Sequence, residues 1–436
     1  MPDGSAPSID DARNIGVDRR GYFSNARATL FLAAIVLVSM FCQIDRILPF
    51  ILAESIKEEL SLSDTQIGLT TGVAFAVCYT LLSLPIARVA DRGSPRLVLV
   101  SCILVWSAMT AVGGFAAGFA LLAASRLGVA IGEAGAIPSA HALIARKIAP
   151  AGRGLAIGLF SMGIPLGTMV GFAAGGAIAD TLGWRAALIG AGAISAVVGL
   201  AVLAVTGPTP SPPRADGTAN EPFLQTSRRL LAQPAFRWLV IGGVALGFAT
   251  APFYAFSAPF LIRTHGFTAS EVGLAFGLLQ GGMGVIGTLG GGRLFDRAVA
   301  AGHGRVIGAQ GILLLLAAAT TTLGLFAPAG WMSIALFVPG MLSFAFLLPA
   351  AFGAAHLVAG PGRQALASSL LLIGSGLFGP ALAPLLVGLV SDAAGAAQVP
   401  NGLGLGLLIV PVASVLAGLA TLVANRRIAA LIAPGR

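Results

Sequence analysis

Four charged side chains with acid–base and anion-binding chemistry stand inside otherwise apolar stretches: the adjacent pair Asp45-Arg46, then Arg126 and Glu133. A charge at mid-bilayer depth costs roughly 2.5–3.5 kcal/mol and is retained where it faces a cavity or a partner. Arginine stays ionised and grips phosphate or carboxylate through a bidentate fork. Burial and neighbouring arginines act in opposite directions on a carboxylic acid, so Asp45 and Glu133 are both placed to exchange protons. The set is neutral when all four are ionised, and protonating either acid frees an arginine. Asp45 and Glu133 are therefore the candidate proton-coupling residues, with Arg46 or Arg126 holding an anionic headgroup. The competing reading is a static network that only ties helices together, although buried ion pairs stabilise poorly compared with apolar packing.

The elements that must position these groups are membrane helices. Of the 436 residues, 56% are hydrophobic and 10% charged, and the mean hydropathy is +0.91. A soluble domain carries about 25% charge. Continuous apolar runs of about 20 residues make helices rather than a barrel, and 59 glycines suit close helix packing. Runs between turn signals predict twelve helices, near 28–52, 65–88, 96–115, 118–147, 153–179 and 184–206, then 236–262, 268–292, 304–326, 331–357, 363–390 and 403–425. Residues 1–27 read as a cytosolic tail with no signal-peptide core. The Gly207–Gln233 stretch, with Pro208, Pro210, Pro212 and Pro213, reads as a cytosolic linker, and 428–436 as a second cytosolic tail. The expected fold class is all-α and polytopic, two six-helix bundles spanning 28–206 and 234–427.

With the N-terminus in the cytosol, all but five of the 26 Lys and Arg fall at cytosolic ends and loops. The exceptions are Lys57, Arg185 and Arg263 outside, and Arg46 and Arg126 within the spans. Helical rise then puts Asp45 roughly 7–8 Å and Arg126 roughly 9 Å outward of their helix centres, level with each other. Glu133 lies near the midplane, two turns from Arg126 on the same face and about 10 Å away.

One loop signature occurs twice. The second helix ends in Ala87-Arg88-Val89-Ala90-Asp91-Arg92-Gly93-Ser94-Pro95-Arg96, and the eighth in Gly292-Arg293-Leu294-Phe295-Asp296-Arg297. On these residues the chain resembles the major facilitator superfamily along essentially its whole length. Ala87, Ser94 and Val299 depart from the family's glycines, while the Asp-Arg core stands in both copies. The resemblance implies that Asp91, Arg92, Asp296 and Arg297 latch the two halves on the cytosolic side, each aspartate near a helix N-terminus that attracts negative charge. The alternative is a positive-inside anchor that only fixes topology.

Asp45-Arg46-x-x-Pro49, Ile56-Lys57-x-Glu59-Leu60-x-Leu62-Ser63-Asp64-x-Gln66-x-Gly68-Leu69 and Gly72-x-Ala74-Phe75-x-x-x-Tyr79 resemble the spinster-like branch. So do Arg126 with Gly132-Glu133-Ala134, and Ser391-Asp392. This closer resemblance implies a lysophospholipid or sphingosine-phosphate type of cargo, with Tyr79 beside Arg46 and Arg126 as a substrate-binding candidate. It also implies that the first and fourth helices line a central cavity. The second half has no matching mid-span charge. Phe253, Tyr254 and Gln280 are its substrate-binding candidates, an apolar wall suited to a tail, although aromatics of this kind also serve packing or face lipid.

Gly163, Gly167, Gly171 and Gly175 form a four-residue repeat on the fifth helix, as do Gly273, Gly277 and Gly281 on the eighth. Small residues at this period allow close helix contact. In the resembled fold these two helices meet between the halves, where sliding is needed.

Several chemistries are excluded. Net charge is +9, but no basic patch is interleaved with stacking aromatics, so nucleic acid is not a partner. Cys42, Cys78 and Cys102 lie in apolar runs without metal or disulfide spacing. His141, His265, His303 and His356 are scattered. No phosphate-binding loop supports direct ATP drive, and no catalytic constellation or appended domain supports a membrane enzyme or lipid sensor. The expectation is a cofactor-free, monomeric secondary transporter in a bacterial inner membrane. Its partners are the bilayer, protons and an amphipathic anionic substrate, with small organic anions or drugs as the alternative cargo.

Overall fold

The computed structural model describes residues 25–207, 223–302, 305–360 and 363–432. Most of the N-terminal tail, the linker prolines, His303 and the last residues of the C-terminal tail lie outside that set, as do the side chains of Asp91 and Arg92.

Among the described residues, twelve helices are long and apolar enough to cross a membrane. In the first half they are α1 (Asn25–Ile51), α2 (Asp64–Gly68, a π turn Leu69–Val73, then Ala74–Arg92) and α3 (Pro95–Gly113). They continue with α4 (Phe119–Glu133, then Ala136–Lys147), α5 (Pro150–Leu182) and α6 (Trp184–Thr206). The second half comprises α7 (Pro234–His265), α8 (Ala269–Ala300), α9 (Gly308–Leu325) and α10 (Gly330–Ala359). It ends with α11 (Gln364–Ile373, a π turn Gly374–Phe378, then Gly379–Ala396) and α12 (Gly402–Gly406, then Ile409–Ile432). Two shorter helices fall outside these spans, Ala53–Leu60 after α1 and Phe223–Ala232 before α7. The latter lies in the stretch read as linker, with Leu230 buried against α7 and the ends of neighbouring helices.

The local signals explain the breaks. Pro95, Pro150 and Pro234 open α3, α5 and α7 at positions where the missing N–H is harmless. Ser63 and Thr268 open α2 and α8 with capping boxes completed by Gln66 and Glu271. The fourth helix, expected as one run, is interrupted at Ala134-Gly135 immediately after Glu133.

The halves are joined at the end opposite the termini and part toward the termini. At the joined end one apolar cluster is continuous across both halves, from Ile47 and Phe172 to Phe253 and Leu403. Toward the termini it gives way to two separate clusters, one around Trp106 and Phe31, the other around Phe236 and Ala354. Only 12% of the apolar window of α2 is buried, against 33–61% in the other eleven spans.

The glycine rows correct one expectation. Gly163, Gly167, Gly171 and Gly175 of α5 pack on Ser39, Met40, Ile47 and Leu48 of α1, inside the first half. It is the α8 row, Gly273, Gly277 and Gly281, that meets α5, at Phe172, Met169 and Pro165. The period is the same in both rows, and the chain's neighbours decide which partner it serves.

Candidate functional site

Asp45 and Arg46 are consecutive on α1 and so point about 100° apart. Asp45 turns into the first half, fully buried, where the Ser195 hydroxyl of α6 donates to its Oδ2 at 3.2 Å. Arg46 turns toward the gap between the halves with its side chain 27% exposed. Its Nε donates to Glu133 Oε2 at 2.5 Å, an ion pair linking α1 to α4. The guanidinium lies 4.8 Å from the Tyr79 ring centroid and 5.1 Å from that of Phe75. Those two rings, one turn apart on α2, stack at 5.6 Å and 16°. A cation over stacked rings gains electrostatic attraction from their faces.

Arg126 is buried, and its Nη1 donates to the backbone carbonyl of Asp45 at 3.3 Å. Its guanidinium lies 5.8 Å from the Phe75 ring centroid. Phe75 thus contacts both arginines; its place one turn before Tyr79, just past the π turn, is a signal the candidate set did not use. π turns of this kind concentrate at functional sites.

The cluster is under-satisfied. Asp45 Oδ1, Arg46 Nη2, Arg126 Nε and Glu133 Oε1 are all buried without a hydrogen-bond partner. Leaving such a group unpaired costs about 1–3 kcal/mol, so four in one cluster are a concentrated cost that calls for an explanation beyond packing. On the same side, Gln43 Nε2 donates to Thr168 Oγ1 at 3.1 Å and ties α1 to α5.

The candidates from the second half are placed differently. Phe253 is 1% exposed, edge-on to Phe337 and Phe344 at 5.4 and 5.5 Å and stacked with Phe276 at 6.1 Å. Tyr254 is half-buried beside it, and Gln280 of α8 lies by Tyr254 with its Oε1 buried and unpaired. Asp296 and Arg297 are exposed at the end that carries the termini.

A second polar cluster, which sequence reading missed, sits at the joined end. Arg263 of α7 is bidentate to Glu54, at 3.0 and 2.8 Å, and to Asp64, at 2.8 and 2.9 Å. Lys57 Nζ donates to Asp64 at 2.7 Å, and the Ser391 hydroxyl of α11 donates to the same carboxylate at 2.6 Å. Nearby, Glu59 accepts from Trp184 Nε1 at 2.6 Å and from Arg185 at 2.8 Å. These bonds hold its carboxyl below the ordinary carboxylate range. Arg263 entered the sequence reading only as an exception to the inside-positive rule; four acids within the Glu54–Asp64 stretch were the available signal.

Two bundles of six helices, joined at one end around a charged first-half wall, match a known model. The family model for the Major Facilitator Superfamily covers residues 30–384. The chain belongs to the major facilitator superfamily. A relative named MFS-type efflux pump, from Mycolicibacterium smegmatis, is 35% identical over 412 residues, covering 93% of this chain and 94% of its own length. Protein spinster homolog 3 of Danio rerio is 28% identical over 273 residues, 61% of this chain and 52% of the relative. The crystal structure of a bacterial homolog to the human lysosomal transporter Spinster, inward-facing and unoccupied, superposes with a TM-score of 0.81. Its identity is 27%, covering 93% of this chain and 98% of the other. This facilitator is therefore a multi-pass transporter of the spinster-like branch.

Proposed function

We propose that the protein is a secondary transporter that moves an amphipathic anionic lipid, such as a lysophospholipid, by alternating access across a bacterial inner membrane. The observation that carries this reading is the Arg46 guanidinium, partly exposed between the halves, stacked over Tyr79 and Phe75 and paired with Glu133. An anionic headgroup competes with Glu133 for that fork. Protonation of Glu133 weakens the competitor and favours the headgroup, which is how proton and cargo would be linked. Asp45 serves as the second proton site, and Arg126, buried against the Asp45 backbone, stabilises it rather than touching cargo. Tyr254 and Gln280 offer a mostly apolar wall for the tail, with Phe253 supporting it from behind.

In this reading both termini, the linker and the Asp91-Arg92 and Asp296-Arg297 loops are cytosolic, and the loops latch the halves when the terminal end closes. One chain suffices for transport, the 28–206 and 234–427 bundles moving about the central site. The test is counterflow in proteoliposomes with a labelled lysophospholipid against small organic anions, at pH 5.5 to 8. Saturable lipid movement, lost in Arg46→Ala and made less pH-dependent in Glu133→Gln, is the expected result. PH dependence unchanged in both Glu133→Gln and Asp45→Asn would sink the proton role.

A second reading, export of drugs or small organic anions on the same fold, is favoured by the 35% identity to the efflux pump. Movement of soluble anions alone in the same assay would select it.

A further inference from the structure

At the joined end, Asp180 and Asp392 occupy matching places on the fifth helix of each half, four residues after Gly176 and Gly388. Each carboxylate crosses to the second helix of the opposite half. Asp392 accepts from the backbone N–H of Asp64 and of Thr65, both at 2.9 Å, and from the Thr65 hydroxyl at 2.5 Å. Asp180 accepts from the Ser270 N–H at 2.7 Å.

A helix N-terminus leaves its first N–H groups without intrahelical partners. In α2 and α8 the capping boxes Ser63–Gln66 and Thr268–Glu271 use the N–H groups of the cap and third positions. The intervening N–H groups are the ones reached from the other half. The glycines make the approach possible. A Cβ at Gly176 would strike the carbonyl of Ala269, and one at Gly388 the carbonyl of Asp64. Gly68 and Gly273 are confined in the same way by Pro384 and Phe172. The two sites are thus one motif used twice, a fifth-helix Gly-x-x-x-Asp against a second-helix Ser/Thr-x-x-Gln/Glu-x-Gly.

We propose that Asp180 and Asp392 form a twofold-related latch, each half capping the other's second helix, which holds this end shut and must release before it opens. The capping boxes stay with their own helices on release, so α2 and α8 remain capped while the halves separate. The two arms are unequal: Asp392 makes three bonds and lies beside the Arg263–Asp64 cluster, whereas Asp180 makes one to the backbone. Opening is therefore controlled more by α2 and α11 than by α5 and α8.

The test is a distance distribution between spin labels at Glu58→Cys and Ala396→Cys, both exposed positions at this end, in full-length protein in nanodiscs with the three native cysteines replaced. No cargo is needed, so the outcome is independent of the transport assay. Asp392→Ala should raise the ratio of wide to narrow separations about fivefold, the effect of losing one helix cap. Asp180→Ala should raise it less, and Asp392→Asn by an intermediate amount because the amide keeps one acceptor. If Asp392→Ala does not fold, Asp392→Asn and Thr65→Val carry the measurement. Gly388→Ala, which obstructs only the opposite half, calibrates the wide separation. A wide population in Gly388→Ala but in none of the aspartate or threonine variants would overturn the latch and leave packing alone.

Discussion

The two walls of the central gap are built on opposite terms. The first-half wall is charged and unfinished, with four buried polar atoms of Asp45, Arg46, Arg126 and Glu133 lacking partners. The second-half wall is mostly aromatic and uncharged, with Phe253 packed among Phe276, Phe337 and Phe344 and the Gln280 Oε1 buried and unpaired beside Tyr254. An unfinished polar wall retains capacity to change protonation or partner, at a cost in stability. A close-packed aromatic wall contributes mainly shape and cohesion. On the proposed function this divides labour: chemistry in the first half, fit in the second.

Five substitutions at four positions test that division. Phe253→Ala should lose about 3–5 kcal/mol of stability, the usual effect of emptying a large aromatic site, read as a fall in melting temperature in detergent. A raised KM with an unchanged melting temperature would instead make Phe253 a contact for cargo. Glu133→Ala strands the Arg46 guanidinium. Breaking a buried pair costs about 3–5 kcal/mol, reduced here to about 1–3 kcal/mol because Arg46 is 27% exposed. Glu133→Gln should keep most of that stability while flattening the pH profile of transport, and a full profile in Glu133→Gln would return the pair to a structural role.

Arg46→Lys keeps the charge but loses the fork and the flat stacking on Tyr79 and Phe75. Affinity for an anionic cargo should fall about tenfold, roughly 1.4 kcal/mol, in equilibrium binding at fixed pH. Equal loss for a neutral analogue would break the headgroup assignment. Tyr254→Phe is expected to matter least, about 0.5 kcal/mol or a twofold change in KM. A tenfold change there would place polar recognition on the second-half wall as well.

Much of the fold was legible because lipid restricts the choices. Only a continuous helix satisfies its own backbone inside hydrocarbon, so twelve apolar runs announce twelve spans. The cluster was legible for the same reason, since Asp45, Arg46, Arg126 and Glu133 are conspicuous in apolar surroundings. Pairing was not. Level depth suggested Asp45 with Arg126, yet Arg126 donates to the Asp45 backbone carbonyl and lies by Phe75, while Glu133 takes Arg46. Depth along a helix follows from counting residues, whereas facing depends on how each helix is rotated against its neighbours. The same limit hid Arg263 with Glu54 and Asp64, far apart in sequence and each ordinary alone.

By itself, then, the sequence determined the spans, the charged inventory and the repeated Asp-Arg loop signature, because each depends on local composition and rise per residue. The tertiary structure decided which glycine row meets which helix, which acid holds which arginine, and that Asp180 and Asp392 close the helix starts of the opposite half. Those outcomes depend on helix rotation and on the approach of two halves, which no single stretch of the chain encodes.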